Sequence, residues 1–301
     1  MRLEAVILTF NEGKHLRRCI SSLTGVADRV LVVDSFSSDD TVMIATECGA
    51  RILQRKWLNY ADQFNWALAN LDSETNWVLR IDADEFLTPA LANEIRTRLP
   101  SLGDEIDGVT CGRRMIFQGQ LIRFGGVFPV RLIRLFRPGR GECENRWMDE
   151  HIKVTGPTVD FTGDLIDENL NSITWWTEKH NQYASREAVD LLNLEYGFAV
   201  HDSVADLGDR SEATIKRRIK ERVYAKLPLG SRAFFYFVYR YVFRLGFLDR
   251  NGGANFHLLQ GFWYRYLVDA KVSEVKREMK LSGDNPKLVI RRVLGIELQP
   301  R

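Results

Sequence analysis

The sequence predicts an α/β protein with a mostly parallel sheet and helices on both faces, followed by a helical, basic and aromatic C-terminal region. Three observations predict it. Apolar β-branched runs alternate with helical patterns over residues 1–100. The alternation then breaks down over residues 105–165. Charge is also split along the chain: residues 201–301 hold 20 Lys and Arg against 11 Asp and Glu, and residues 1–200 hold 22 against 29.

Residues 3–10 (LEAVILTF) form a continuous apolar run, expected to be a strand buried on both faces. A helical pattern follows through Leu16, Ile20 and Leu23. Arg29–Asp34 is the second strand, and the cap-rich loop Ser35–Asp40 leads into a helix over Thr41–Cys48. Ala50–Leu53 is a short third strand. Tyr60–Leu71 is helical, with Phe64, Ala67, Leu68 and Leu71 on one face. Trp77–Ile81 is a fourth strand ending at Asp82-Ala83-Asp84-Glu85. Thr88 opens a helix to Leu99 with Pro89 at its first position. Residues 105–165 read as short strands with glycine turns. Residues 172–200 read as helix, 203–211 as a polar linker, 212–226 as a basic helix, and 231–248 and 255–270 as aromatic helices. The division expected is 1–170 and 171–301.

The formal charge of the 301 residues is +2, so no polyelectrolyte character points to nucleic acid, and a nucleic-acid partner is not expected. Four scattered cysteines (Cys19, Cys48, Cys111, Cys143) without a C-x-x-C read as reduced thiols of a cytoplasmic protein. The opening MRLEAVILTFNEGKH does not read as a signal peptide, and no run approaches the ~20 apolar residues that span a bilayer.

Asp82 and Asp84 stand at i and i+2 directly after a buried strand, where open α/β sheets bind ligands. Two such carboxylates can converge on one hard cation, Mg²⁺ or Mn²⁺, leaving positions for phosphate oxygens. The alternative is an acidic turn capping the next helix. The tips of the first two strands carry Thr9, Asn11, Glu12 and Asp34 on the same edge. A carboxylate there accepts from a base N–H or from ribose hydroxyls. No G-x-G-x-x-G follows the first strand and no P-loop exists, so dinucleotide and P-loop chemistry are disfavoured.

VILTFNEGKHLRRCISSL (6–23), VLVVDSFSSDDT (30–41) and WVLRIDADEFLTPAL (77–91) together resemble the nucleotide-sugar domain of family 2 glycosyltransferases of the GT-A fold, over roughly residues 3–155. The resemblance implies that Thr9, Asn11, Glu12 and Asp34 contact the nucleoside, and that Asp82 and Asp84 hold nucleotide and metal. WLNYADQFNWAL (57–68) resembles the family's next segment, with Gln63 in the nucleotide group where many members carry Arg. Asp149-Glu150-His151 resembles the family's Glu-Asp or His-Glu pair: Glu150 or Asp149 takes the acceptor hydroxyl's proton, and His151 is structural or supports that carboxylate from behind. Of Arg131, Arg134 and Arg137, at period three, at least one is a candidate for the diphosphate, as is Arg113-Arg114.

Residues 213–250 interleave ten Lys and Arg with nine aromatics against two acids. Such composition suits an anionic membrane surface; aromatic packing and nucleic-acid binding are the competing readings. FRLGFLDRNGGANFHLLQGFWYRYLVDAK (243–271) and KHNQYASREA (179–188) resemble enzymes of lipopolysaccharide core, capsule and exopolysaccharide assembly. The function expected is an inverting transfer of one sugar from a UDP-linked donor, with Mg²⁺ or Mn²⁺, to a lipid-linked saccharide acceptor. It would act peripherally at the inner face of the cytoplasmic membrane. A sugar nucleotidyltransferase and a non-catalytic membrane-associated glycan-binding protein are the alternatives. The absence of Q-x-x-R-W favours single transfer over processive synthesis.

Overall fold

Six of the seven residues of β1 (Leu3–Thr9) are buried, which requires cover on both faces and a neighbour on each side. In the computed structural model, which describes residues 1–144, 151–198 and 228–298, β1 pairs in parallel with β2 (Arg29–Asp34) and β4 (Trp77–Arg80). β2 pairs in parallel with β3 (Arg51–Gln54). Alternate side chains divide between two cores. Ala5 and Ile7 pack against α1 (Leu16–Ser22), α2 (Thr41–Glu47) and α4 (Pro89–Arg98). Val6, Leu31 and Val33 pack against Ala61, Phe64 and Ala67 of α3 (Tyr60–Ala69). Helices on both faces are therefore as expected.

Beyond β4 the sheet is mixed. Its nine strands run β3-β2-β1-β4-β8-β6-β11-β5, with β7 (Gln120–Leu121) on β6. β8 (Val130–Phe136) is antiparallel to both β4 and β6 (Gly108–Phe117), β6 is parallel to β11 (Thr158–Glu168), and β5 (Glu85–Leu87) is antiparallel to β11. β9 (Gly141–Cys143) and β10 (Ile152–Val154) form a separate ladder. The short strands expected over 105–165 are instead dominated by strands of ten and eleven residues. Gly112 and Gly163 conceal them in the sequence; Gly163 is required by close approach of backbone, while Gly112 faces a carboxylate tip. A Cβ on Gly163 would lie 2.4 Å from the Leu91 Cα of α4, and one on Gly112 would lie 2.0 Å from Asp164 Oδ1.

Residues 1–122, 127–144 and 151–171 form one compact unit. The other comprises residues 123–126, 172–198 and 228–298. Within it α5 (Ile173–Tyr196) is capped by Ser172 and ends at Gly197, whose φ of 62° only glycine adopts freely. α6 (Ser231–Val238) continues into a π turn at Tyr239–Phe243. α7 (Gly252–Leu258) runs through a π turn at Leu259–Trp263 into α8 (Tyr264–Ser282), and α9 (Pro286–Leu294) follows. Ala188 and Leu192 of α5, Val268 and Val272 of α8, and Val289 and Ile290 of α9 build its core. The linker and basic helix expected over 203–226 lie outside the described residues. All four cysteines are free.

Candidate active site at the carboxyl ends of the strands

Parallel pairing brings the ends of β1 and β2 level, with Thr9 opposite Asp34. Asp34 is fully buried, and its carboxylate accepts from Thr9 Oγ1 (3.0 Å), the Ser37 N–H (2.9 Å), Gln54 Nε2 (3.1 Å) and the Ser37 hydroxyl. A buried carboxylate needs such donors, and they fix its orientation. Asn11, at φ 57°, tucks its N–H onto Ser37 Oγ (2.8 Å) and accepts the Ser38 N–H (2.9 Å). Glu12 Oε2 lies 2.6 Å from His15 Nδ1, and His15 Nε2 accepts the Leu170 N–H at 2.9 Å. The proton therefore sits on Nδ1 and is donated to Glu12. His15 was missed in the sequence, although its spacing from Glu12 on an incipient helix could have shown it.

Gln63 is fully buried beside Asp34's loop. Its Nε2 donates to Ser35 Oγ (3.2 Å) and to the Arg55 carbonyl (3.3 Å), while its Oε1 has no partner.

β4 ends in the Asp82-Ala83-Asp84 turn. Tyr60 donates its hydroxyl to Asp82 Oδ1 at 2.8 Å, and Arg80 Nε donates to the Tyr60 oxygen at 2.9 Å. Arg134, buried on β8, places Nη1 3.7 Å from Asp82 Oδ2 and donates from Nη2 to Glu85 Oε1 at 2.5 Å. Glu85 Oε2 accepts the Asp82 N–H at 3.0 Å, which closes the turn. Asp84 Oδ2 accepts from Asn169 Nδ2 (3.1 Å), and its carbonyl accepts the Glu168 N–H (3.1 Å). Burial pushes the Asp82 carboxyl up, but Arg134, Arg80 and the Tyr60 hydroxyl outweigh it and hold it below the usual range. Burial pushes Glu85 up to about 8 against the pull of Arg134, and Asp167 up to about 6 against that of Arg113.

The turn therefore offers hard carboxylate oxygens set among guanidinium groups. Among the described residues no group of three or more His, Cys, Asp or Glu is placed to hold a metal. Two carboxylates completed by phosphate oxygens and water remain a suitable donor set for Mg²⁺ or Mn²⁺. Asp84 fits that role better than Asp82, whose oxygens face Tyr60 and Arg134. Arg131 of β8 and Arg137 just beyond its end are staples: Arg131 donates to the Phe161 carbonyl (2.7 Å) and Arg137 to the Ile106 and Gly103 carbonyls (both 2.9 Å). Asp149 and Glu150 lie outside the described residues. His151 is described, and its carbonyl accepts the Glu144 N–H at 3.0 Å.

The model of glycosyl transferase family 2 matches residues 4–139. A glycosyltransferase of Rickettsia prowazekii is 40% identical over 208 residues, which are 64% of this chain and 68% of that protein. The chain belongs to glycosyltransferase family 2. A Rickettsia felis glycosyltransferase is 42% identical over 94 residues, but the matched part is only 32% of that protein. The lipopolysaccharide core biosynthesis glycosyltransferase LpsC of Rhizobium meliloti is 35% identical over 147 residues, 47% of this chain and 53% of LpsC. Glucosyl-3-phosphoglycerate synthase of Mycobacterium tuberculosis, solved with Mn²⁺ and UDP, is 23% identical over 38% of this chain and 44% of its own, with a TM-score of 0.30. The family match runs from β1 to just past β8. It contains every candidate nucleotide and metal residue of this glycosyltransferase and stops short of Asp149, Glu150 and the helices of the second unit.

In the second unit of the glycosyltransferase the basic stripe divides. Arg232 is buried against Asp269 (Nε to Oδ1, 2.7 Å), and Arg240 is buried on the Gly125 carbonyl (2.8 Å). A guanidinium enters the interior only when such acceptors meet it, so these two belong to the unit's own core and not to a basic surface. Among the described residues no helix is long and apolar enough to cross a membrane.

Proposed function

We propose that this glycosyltransferase moves one sugar, with inversion, from a UDP-linked donor to a lipid-linked saccharide acceptor in the assembly of a bacterial surface polysaccharide, at the inner, anionic face of the cytoplasmic membrane. The observation that supports the reading is the placement of Asp34, Asp82 and Asp84 at or just beyond the carboxyl ends of parallel strands β2 and β4, which flank β1. In this reading Thr9, Asn11, Glu12, Asp34 and Gln63 receive the nucleoside. Asp34 is preorganised for it by four donors, and the unpartnered Gln63 Oε1 is an acceptor for an N–H. Asp84, with Asp82 beside it, holds Mg²⁺ or Mn²⁺. When bound, the cation neutralises charge on the departing diphosphate. Glu150, or Asp149 next to it, takes the acceptor hydroxyl's proton. The lipid-linked acceptor is supported by the similarity to LpsC.

The test is nucleoside diphosphate release from a panel of nucleotide sugars with Mn²⁺. Release from one donor, lost in Asp84→Asn, is the expected result. Release of pyrophosphate would replace this reading with a nucleotidyltransferase. Donor binding without turnover, unaffected by Asp84→Asn and by added acceptor lipids, would replace it with a non-catalytic glycan-binding role.

A further inference from the structure

The aromatics of the second unit fall into two sets. Phe237, Tyr241, Phe256 and Phe262 pack on one another or on His257: Phe237 stacks on Tyr241 at 5.1 Å and meets Phe262 at 5.8 Å. The other set faces solvent. Phe235 is 65% exposed and Phe243 72%, with Phe234, Tyr239, Val242, Leu245, Phe247 and Leu248 all exposed beside them. Phe235, Tyr239, Val242 and Phe243 recur at helical spacing, so they form one face of α6 and its π turn. Isolated exposed apolar residues are ordinary in a soluble protein, but a continuous group of this size marks a surface that something covers.

The chain spends conformational energy to build this face. Leu245 sits at φ 60°, a left-handed conformation costly for any residue with a Cβ, and its own side chain remains 45% exposed. The backbone around it is tied down: Arg244 O accepts the Gly125 N–H at 2.9 Å, and Asp249 takes the Arg123 and Phe124 N–H groups and faces His257 Nε2 at 3.0 Å. The turn so fixed carries Leu245, Phe247 and Leu248 outward.

Charge identifies the occupant. Across 228–250 the exposed charges are Arg244 and Arg250, while the single acid, Asp249, is buried. A second copy docking on this face by two-fold symmetry would bring like charges together. An anionic lipid surface offers opposite charge to the arginines and an apolar layer to the aromatics. We infer that residues 234–248 form a wedge that enters one leaflet of an anionic bilayer, held chiefly by apolar burial, with Arg244 and Arg250 at the headgroup level. The wedge differs from a basic stripe: with Arg232 and Arg240 turned inward, adsorption by charge is the smaller part, and binding survives salt.

The inference rests on the exposed face; only its use, bringing the site to a lipid-linked acceptor, rests on the proposed function. The experiment is flotation of the full chain with phosphatidylcholine vesicles, with and without phosphatidylglycerol, at low salt and at about 0.5 M salt, where surface charge is screened within a few Å. The wild type should float at both salt levels. Phe235→Ser with Phe243→Ser should lower partitioning about tenfold per site, with unfolding temperature and donor turnover unchanged. Arg244→Gln with Arg250→Gln should remove only the preference for phosphatidylglycerol. Hydrogen exchange on the wild type should show vesicle-dependent protection confined to 234–248. No flotation, flotation abolished by salt, undiminished flotation of the phenylalanine variant, or a wild-type dimer dissolved by that variant would each overturn the wedge. Loss of donor turnover in every preparation, with flotation intact, would overturn the proposed function and leave the wedge standing.

Discussion

Tyr60 donates its hydroxyl to Asp82 Oδ1 at 2.8 Å and accepts from Arg80 Nε at 2.9 Å, so a helix on one face of the sheet orients a carboxylate at the end of its central strands. Tyr60→Phe keeps the ring on which Phe64 and Arg80 pack. It removes two hydrogen bonds to charged groups, each worth about 1.5–3 kcal/mol. Donor affinity, measured by calorimetry with UDP and Mn²⁺, should fall about tenfold, with the unfolding temperature only slightly lowered. Unchanged affinity would detach Asp82 from nucleotide binding.

Arg134 and Glu85 are an ion pair with almost no exposure. Glu85 sits near 8 even beside Arg134, so the pair is fully ionised only in alkaline solution. There Arg134→Met leaves a buried carboxylate without its partner and should cost about 3–5 kcal/mol. Adding Glu85→Gln should restore most of it at that pH, because the neutral amide still accepts the Asp82 N–H. Urea midpoints of the two variants check this; equal losses would show that the pair is not coupled.

His180 stacks on Trp176 with centroids 3.4 Å apart and bonds the Trp176 carbonyl at 2.8 Å. Burial lowers its pKa from 6.5 to about 4. As pH falls through 6.5 the unfolded chain takes a proton that the folded chain refuses. This contribution is thus full above pH 6.5, declines toward pH 4 and is flat below, by up to about 3 kcal/mol. Denaturant unfolding across that window should show a positive slope of stability with pH, and His180→Phe should flatten it.

Gly163 lies against backbone, which cannot yield as a side-chain tip can. Gly163→Ala should push α4 from β11 and cost about 1–3 kcal/mol. A calorimetric unfolding temperature lower by several degrees is the expected result; an unchanged one would contradict the close packing.

Much of the first unit was legible because its signals are local. The β1 run, the Thr88 cap accepting from Leu91 N with Pro89 following, and the Asp82-Ala83-Asp84 turn are each written in adjacent residues. Parallel alternation then makes the strand ends share one edge, so Thr9, Asn11, Asp34 and Asp82 could be grouped before any coordinates. β5 was not legible, because three residues between a turn and a cap carry no periodicity and are strands only through β11, some 80 residues away. Arg131, Arg134 and Arg137 look alike in sequence, yet of the three only Arg134 reaches the acidic turn: Arg131, three residues back on the same strand, faces the other way, and Arg137 lies beyond the strand's end.

The sequence by itself determined the fold class, the carboxylates of the candidate site and their order along one sheet edge, because these follow from periodicity and from connections between neighbouring elements. Only the tertiary structure decided which charges are interior. Whether Arg232, Arg240 and Arg134 are surface cations or buried pairs depends on Asp269, the Gly125 carbonyl and Glu85, each distant along the chain. The same holds for the aromatics of 234–248. Composition fixes how many there are, but which of them face water depends on the helices that pack behind them.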